Sequence, residues 1–371
     1  NSVPTNANWR YSFEPALLGG TWDVSTASHL HRYYVSTQDS DPTSVFFKPD
    51  GTKMYVVGSN QDKVHEYNLG TAWNVTTASY LQFFSVAAQE TTPRGIFFKP
   101  DGTKLYLVGQ TNDSVYEYDL STAWNVTTAS YLRLFSVAAQ ETAPRGVSFK
   151  PDGTKMYVVG ASGEDVNEYD LSTAWDISTA VFLQNFSVNA QDTGPLGFFF
   201  KPDGLKMYVA GNAGDDINEY DLSTAWNVTT ASYLQNFSIS AQDTSPRGVF
   251  FKDDGLKMYV IGASSYDVNE YNLSTAWDVS TAVFLQSFSV AGEDTLPVGI
   301  SFKPDGLKMY FVGGGGGNIL EYDLGTTSTM TLPAAVENSP SQALIGGTRV
   351  TYEFITADAG VTVTLIGEEI V

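Results

Sequence analysis

A chain of 371 residues that is 42% hydrophobic and 13% aromatic can bury a large core, and it has no apolar run of the ~18 residues a membrane helix needs. Its formal net charge of −21 argues against nucleic-acid binding, which requires clustered Lys and Arg. Cysteine is absent, which excludes disulfides, thiolate metal sites and a Cys nucleophile together.

Residues 1–20 read as an N-terminal extension, and a start at Asn1 without Met or an apolar leader suggests a removed leader or propeptide. "TWDVSTASHLHRYYVS" follows at residues 21–36 and has the form of a single outer strand with no partner strands before it. "FKPDGTKMYVVG" then begins at Phe47 and returns, nearly unchanged, at Phe98, Phe149, Phe200, Phe251 and Phe302, each 51 residues after the last. A fixed period of this kind marks one supersecondary unit copied in tandem, too small to bury its apolar face alone. Of the 20 basic residues, 12 are the two Lys of these phrases, so positive charge belongs to the scaffold and forms no tract.

Each unit offers four strand-length stretches rich in aromatic and β-branched residues, such as "RGVFFK" from Arg247, "KMYVIG" from Lys257, "DVNEYNL" from Asp267 and "VFLQSFSV" from Val283. "KPDG" or "KDDG" joins the first two as a tight turn. "STAWDVSTA", which carries Trp277, joins the last two. No sustained 3.6-residue stripe occurs, so helix is expected to be nearly absent. Four antiparallel strands per unit predict an all-β fold, a β-propeller over residues 21–324, with a β-solenoid as the competing architecture.

The order "PRGVFFKDDGLKMYVIG", then "DVNEYNLSTAW", resembles the YVTN-type repeats of lactonase-like propellers over residues 21–324. The resemblance implies that the "PxG" strand is innermost and the stretch after the "DL" loop outermost. Six units are present where that family commonly has seven, so the resemblance leaves six blades or seven open. Residues 29–35 are expected to complete the blade of residues 298–324 as its outermost strand, which closes the ring and removes open edges.

Residues 325–371 differ in composition: a Thr, Ser and Pro-rich connector precedes an alternation of Val350, Tyr352 and Phe354, then Val361, Val363 and Leu365, about the turn "ADAG". This predicts a β-hairpin that must dock on another surface. Its wording resembles terminal segments of phage virion proteins.

Three recurring features are candidate sites. Acids precede each inner strand at Asp39, Glu90, Glu141, Asp192, Asp243 and Asp294, and loop acids Asp113, Asp165, Asp216 and Asp267 are expected on the same face. They either brace turns through backbone N–H groups or form a face for Ca²⁺ or a basic partner. With the "PxG" strand innermost, as the resemblance implies, Arg94, Arg145 and Arg247 are expected to approach the central channel, with Thr43, Leu196 and Val298 at the equivalent places. An ion-pair network with the acidic loops is the expectation there, an anion site the alternative. Trp22, Trp73, Trp124, Trp175, Trp226 and Trp277 recur once per unit on the opposite face, as inter-blade wedges or as stacking platforms for a sugar.

His29, His31 and His65 are the only histidines and read as surface or packing residues. Sequons at Asn74, Asn112, Asn125, Asn185, Asn227, Asn236 and Asn272 follow from a Ser and Thr-rich repeat. Catalysis needs unlike groups converging on one substrate, whereas these units are nearly equal. The expectation is therefore a non-enzymatic extracellular module without a cofactor, a virion surface protein that attaches through repeated loops to a host-surface glycan or protein. The hairpin would dock it to a virion or cell-surface protein or into an oligomer. A bacterial adhesin and a lactonase-like hydrolase are the alternatives.

Overall fold

Each unit reverses where its turn residues stand. In the computed structural model, which describes residues 21–160 and 162–324 and the backbone of four further strands between 327 and 366, the first unit comprises Pro42–Phe47, Lys53–Gly58, Lys63–Leu69 and Ala78–Ser85. The same set recurs through Pro246–Phe251, Lys257–Gly262, Asp267–Leu273 and Ala282–Ser289. In the first turn Asp50 accepts a hydrogen bond from the Thr52 N–H at 3.0 Å, and Gly51 takes a φ of 71°, a left-handed conformation that favours glycine.

The strands form six separate four-stranded antiparallel sheets, each in chain order except the last. The protein is a six-bladed β-propeller, and helix among the described residues is limited to single 3-10 turns such as Val75–Thr77. The second strand of each blade is buried on both faces, as at Met54, Tyr55, Val56 and Val57. The outer strand alternates and remains largely exposed. Core clusters therefore form between blades: Tyr106 and Val108 of one pack with Val147, Phe149 and Met156 of the next. Each such side chain contributes about 1.5–3 kcal/mol by leaving water, so no blade is stable without its neighbours.

Every full outer strand carries a bulge. In the first blade Glu66 pairs with Gln82 and Tyr67 with Tyr80, which leaves Leu81 outside the ladder. The extra twist blunts an edge that would otherwise invite strand addition.

Ring closure follows the sequence reading. Ser28–Tyr34 pairs antiparallel with Asn318–Asp323, from Ser28 opposite Asp323 to Tyr34 opposite Asn318. It thereby becomes the outermost strand of the sheet begun by Pro297–Phe302 and Lys308–Gly313.

The expected C-terminal hairpin is corrected. Thr348–Tyr352 pairs with Ser341–Ile345, not with the strand after it, and Thr362–Ile366 pairs with Thr327–Thr331. The physical reason lies in the Gly-Gly step at residues 346–347, the two-residue connection that favours a tight hairpin and that the sequence reading assigned to a connector. Phe354, Val361 and the "ADAG" turn lie outside the described residues, as does the extension 1–20.

Candidate functional site

The loop before each inner strand and the loop between second and third strands open on one face, and a buried acid ties them together. Glu141 accepts from the N–H groups of Ala143 at 2.7 Å, Ser162 at 3.0 Å and Gly163 at 2.9 Å. Asp243 accepts from Ser245 at 2.6 Å and Ser265 at 2.7 Å. Asp39, Glu90, Asp192 and Asp294 make the same pair of bonds, and all six are buried. Their carboxylates point inward at backbone donors rather than outward at a ligand.

The four loop acids are not one set. Asp113 sits in the left-handed region at φ 46°, equivalent by the 51-residue period to Glu164 and Asp215, whereas Asp165, Asp216 and Asp267 open third strands. Asp165 accepts from Asn167 at 2.6 Å and Asn185 at 2.5 Å, and Asp216 from Asn218 and Asn236 at 2.6 Å each. Among the described residues no three His, Asp or Glu side chains gather as a metal cluster.

On the opposite face the six Trp residues share one geometry. Each has a positive φ, from 61° to 68°, and covers the glycine of its own turn; a Cβ on Gly102 would lie 2.2 Å from the Trp124 ring. Trp124 stacks on Phe98 with ring centroids 5.3 Å apart and reaches Phe46 of the preceding blade at 6.3 Å. Its carbonyl accepts the Tyr55 hydroxyl at 2.7 Å. Glu66, which lies beneath, is paired with Lys53 and accepts from Gln82 at 2.8 Å and from the Val126 N–H at 2.9 Å. The rings thus lie as wedges between blades, with Trp22, Trp175 and Trp277 buried.

The arginines are different. Arg94, Arg145 and Arg247 line one recess of 370 Å³ at the axis together with Thr43, Gln110 and Leu196. The ion-pair network expected there is absent: among the described residues no carboxylate bridges any of the three, because the nearby acids are bound to backbone N–H groups. Arg94 Nε donates to Gln110 Oε1 at 2.7 Å, and Arg247 Nε is buried without a partner. Burial, then the like charges of Arg94 and Arg247, lower the Arg145 pKa, with Glu141 acting weakly against them. Arg145 itself is accessible from the channel. Below the recess a second cavity of 260 Å³ shares Thr43, Arg94 and Arg145 and gains no further charged residue.

Gln110 escaped the sequence reading, although it was legible as a departure from the period: the equivalent places hold Ser59, Ala161, Asn212, Ala263 and Gly314. None of the three histidines lines the recess. His29 is exposed on the closing strand with its ring tilted against Tyr322, centroids 5.3 Å apart, and His31 is half-buried there. His65 is buried between Tyr80 and Phe83 with neither ring nitrogen bonded, and burial lowers its pKa from 6.5 to about 4.

Fold and mouth together define the class, a six-bladed propeller of near-equal blades with an unequal, cationic axial recess. No protein-family model matches the chain, and no curated protein sequence does. Among solved structures it is similar to the periplasmic gluconolactonase of Pseudomonas aeruginosa, at 13% identity over 87% of this chain and 84% of that one, with a TM-score of 0.53. It is similar to a Bacteroides fragilis protein assigned as a 6-phosphogluconolactonase, at 14% identity over 73% and 77%, with a TM-score of 0.52. A protein of Lactobacillus plantarum matches at 15% identity over 76% and 80%, with a TM-score of 0.56. At these identities the likeness is one of fold.

That likeness nonetheless corrects the expectation of a non-enzymatic chain. The expectation rested on repeated blades being poor ground for a catalytic site, yet gluconolactonases share the architecture, so the repeat cannot exclude hydrolysis. None of the similar structures supports the phage resemblance of residues 325–371.

Proposed function

We propose that the chain is a binding propeller whose axial mouth holds a small ligand bearing an oxyanion, a carboxylate or a phosphate. The observation that carries this reading is the convergence of Arg94, Arg145 and Arg247 on one recess with no carboxylate paired to them, in a chain of net charge −21. Guanidinium groups are planar forks that match both oxyanions, and three like charges held together cost free energy until a counter-charge arrives. The six acids before the inner strands are engaged by backbone N–H groups, and Asp165 and Asp216 by Asn side chains, so the arginines, not the repeated loops, carry the proposal.

Hydrolysis of a bound lactone is the second reading, favoured by gluconolactonases of like architecture. Opening a lactone creates a carboxylate, which such a mouth would hold.

Titration calorimetry of the full chain with inorganic phosphate at low ionic strength tests the first reading. Saturable binding that weakens with salt and is lost in Arg145→Leu is expected. Binding that survives Arg145→Leu, or no binding at all, contradicts it. Turnover of gluconolactone that disappears in the same variant would establish the second reading.

A further inference from the structure

The three arginines are not spread evenly. If the unit that starts at Pro42 is the first blade, Arg94 stands on the second, Arg145 on the third and Arg247 on the fifth. In a ring of six, the second and fifth blades face each other across the axis. Arg94 and Arg145 are neighbours, and the uncharged Leu196 of the fourth blade separates Arg145 from Arg247. The recess thus has two cationic poles with an uncharged wall between them.

We propose that the ligand of this mouth carries two separated acidic groups, as an α,ω-dicarboxylate does, and lies across the axis with one end on Arg94 and Arg145 and the other on Arg247. This rests on the anion-binding reading and deepens it. Three features support it. Arg94 is held in place by Gln110, so the first pole is preorganised. Arg247 Nε, buried and unpartnered, is a donor that a single small anion seated at the first pole leaves unmet. The deeper cavity adds no charge, so a second acidic group has its partner only at the mouth. Leu196 faces the uncharged middle of such a ligand.

Linking the two acidic groups makes engagement of the second pole intramolecular, so a diacid gains affinity over a monoacid without any new kind of contact. The test is calorimetry of the full chain with glutarate and adipate against butyrate, and with inorganic phosphate as a reference. At least one diacid is expected to bind at least about tenfold more tightly than butyrate. Arg247→Leu, which installs the side-chain type that Leu196 shows a blade accepts, is expected to remove that advantage, so that in the variant the diacids bind no more tightly than butyrate. Equal affinities for diacids and butyrate overturn the proposal, and so does an Arg247→Leu variant that weakens both alike. Phosphate binding without diacid binding overturns the two-pole ligand but spares the anion site. Failure of every anion overturns both.

Discussion

The two faces of the disc are built to different rules. On the Trp face one arrangement is written six times: a wedge ring over a turn glycine, a Tyr hydroxyl on the Trp carbonyl, and a buried Glu that receives a 3-10 turn N–H. It is kept even where the ring closes, for Tyr259 donates to the Trp22 carbonyl and Glu270 accepts from the Val24 N–H at 2.9 Å. At the axial mouth the equivalent positions hold Thr43, Arg94, Arg145, Leu196, Arg247 and Val298. Where copies must support each other they are equal. Where they surround a recess they differ, and the difference gathers three arginines there.

That contrast can be broken at several depths. Removing residues 21–36 takes away both the closing strand and the Trp22 wedge and leaves Asn318–Asp323 as a bare edge. Loss of soluble monomer is expected, seen as aggregation in size-exclusion chromatography. A monodisperse product would show that closure is dispensable.

Next come the buried carboxylates. Glu168 holds Lys155, Gln184 and the Val228 N–H, and Glu219 holds Lys206, Gln235 and the Val279 N–H. Glu168→Ala and Glu219→Ala should each lose about 1–3 kcal/mol in chemical denaturation, by leaving a buried backbone donor and a Gln amide unmet, while Lys155 keeps Asp170 and Lys206 keeps Asp221 at 2.6 Å. Because the copies are equivalent, the two losses should agree within about 0.5 kcal/mol. A large disagreement would mean that the blades are less equal than their geometry.

His65 sharpens the contrast through pH. Its folded pKa lies near 4 against 6.5 in a model peptide, so below pH 6.5 the unfolded chain takes up a proton that the folded chain refuses. Stability from this residue is full above pH 6.5 and falls until about pH 4, by about 3 kcal/mol in all. His65→Leu, the residue that Leu320 supplies in the last blade, should remove that portion of the acid sensitivity. Parallel pH–stability curves for the two proteins would refute the assignment.

A smaller effect is expected at the turn. Gly102 has a φ of 73° and lies under the Trp124 ring, so Gly102→Ala should cost roughly 2 kcal/mol, more than Ala costs at an ordinary loop glycine. Thermal unfolding measures it.

Much of this fold was legible because a period fixes register without any knowledge of contacts. The 51-residue interval gave strand positions, the unpaired strand at residues 21–36 gave closure, and the "KPDG" turns gave hairpins. The partners of the repeated Lys residues were not legible, because Glu66 and Lys53 meet only across a ladder and Val126 reaches Glu66 from a unit further on. The C-terminal pairing was misread since alternation identifies strands but not their mates, and the Gly-Gly step was the better guide. At the mouth the arginines were visible as departures from the repeat, but their lack of counter-charge was not. It depends on where the Glu141 and Asp243 carboxylates point, which only the folded loops reveal.

The separation of the two faces is tested most directly by thermal unfolding of the full chain, Glu219→Ala and Arg145→Leu, each with and without inorganic phosphate. Phosphate should raise the Tm of the full chain and of Glu219→Ala alike, although the second begins lower, and should leave Arg145→Leu unmoved. A phosphate-induced rise that persists in Arg145→Leu, or that vanishes in Glu219→Ala while that variant remains folded, would contradict an anion site at the axial mouth that is independent of the wedges holding the blades together.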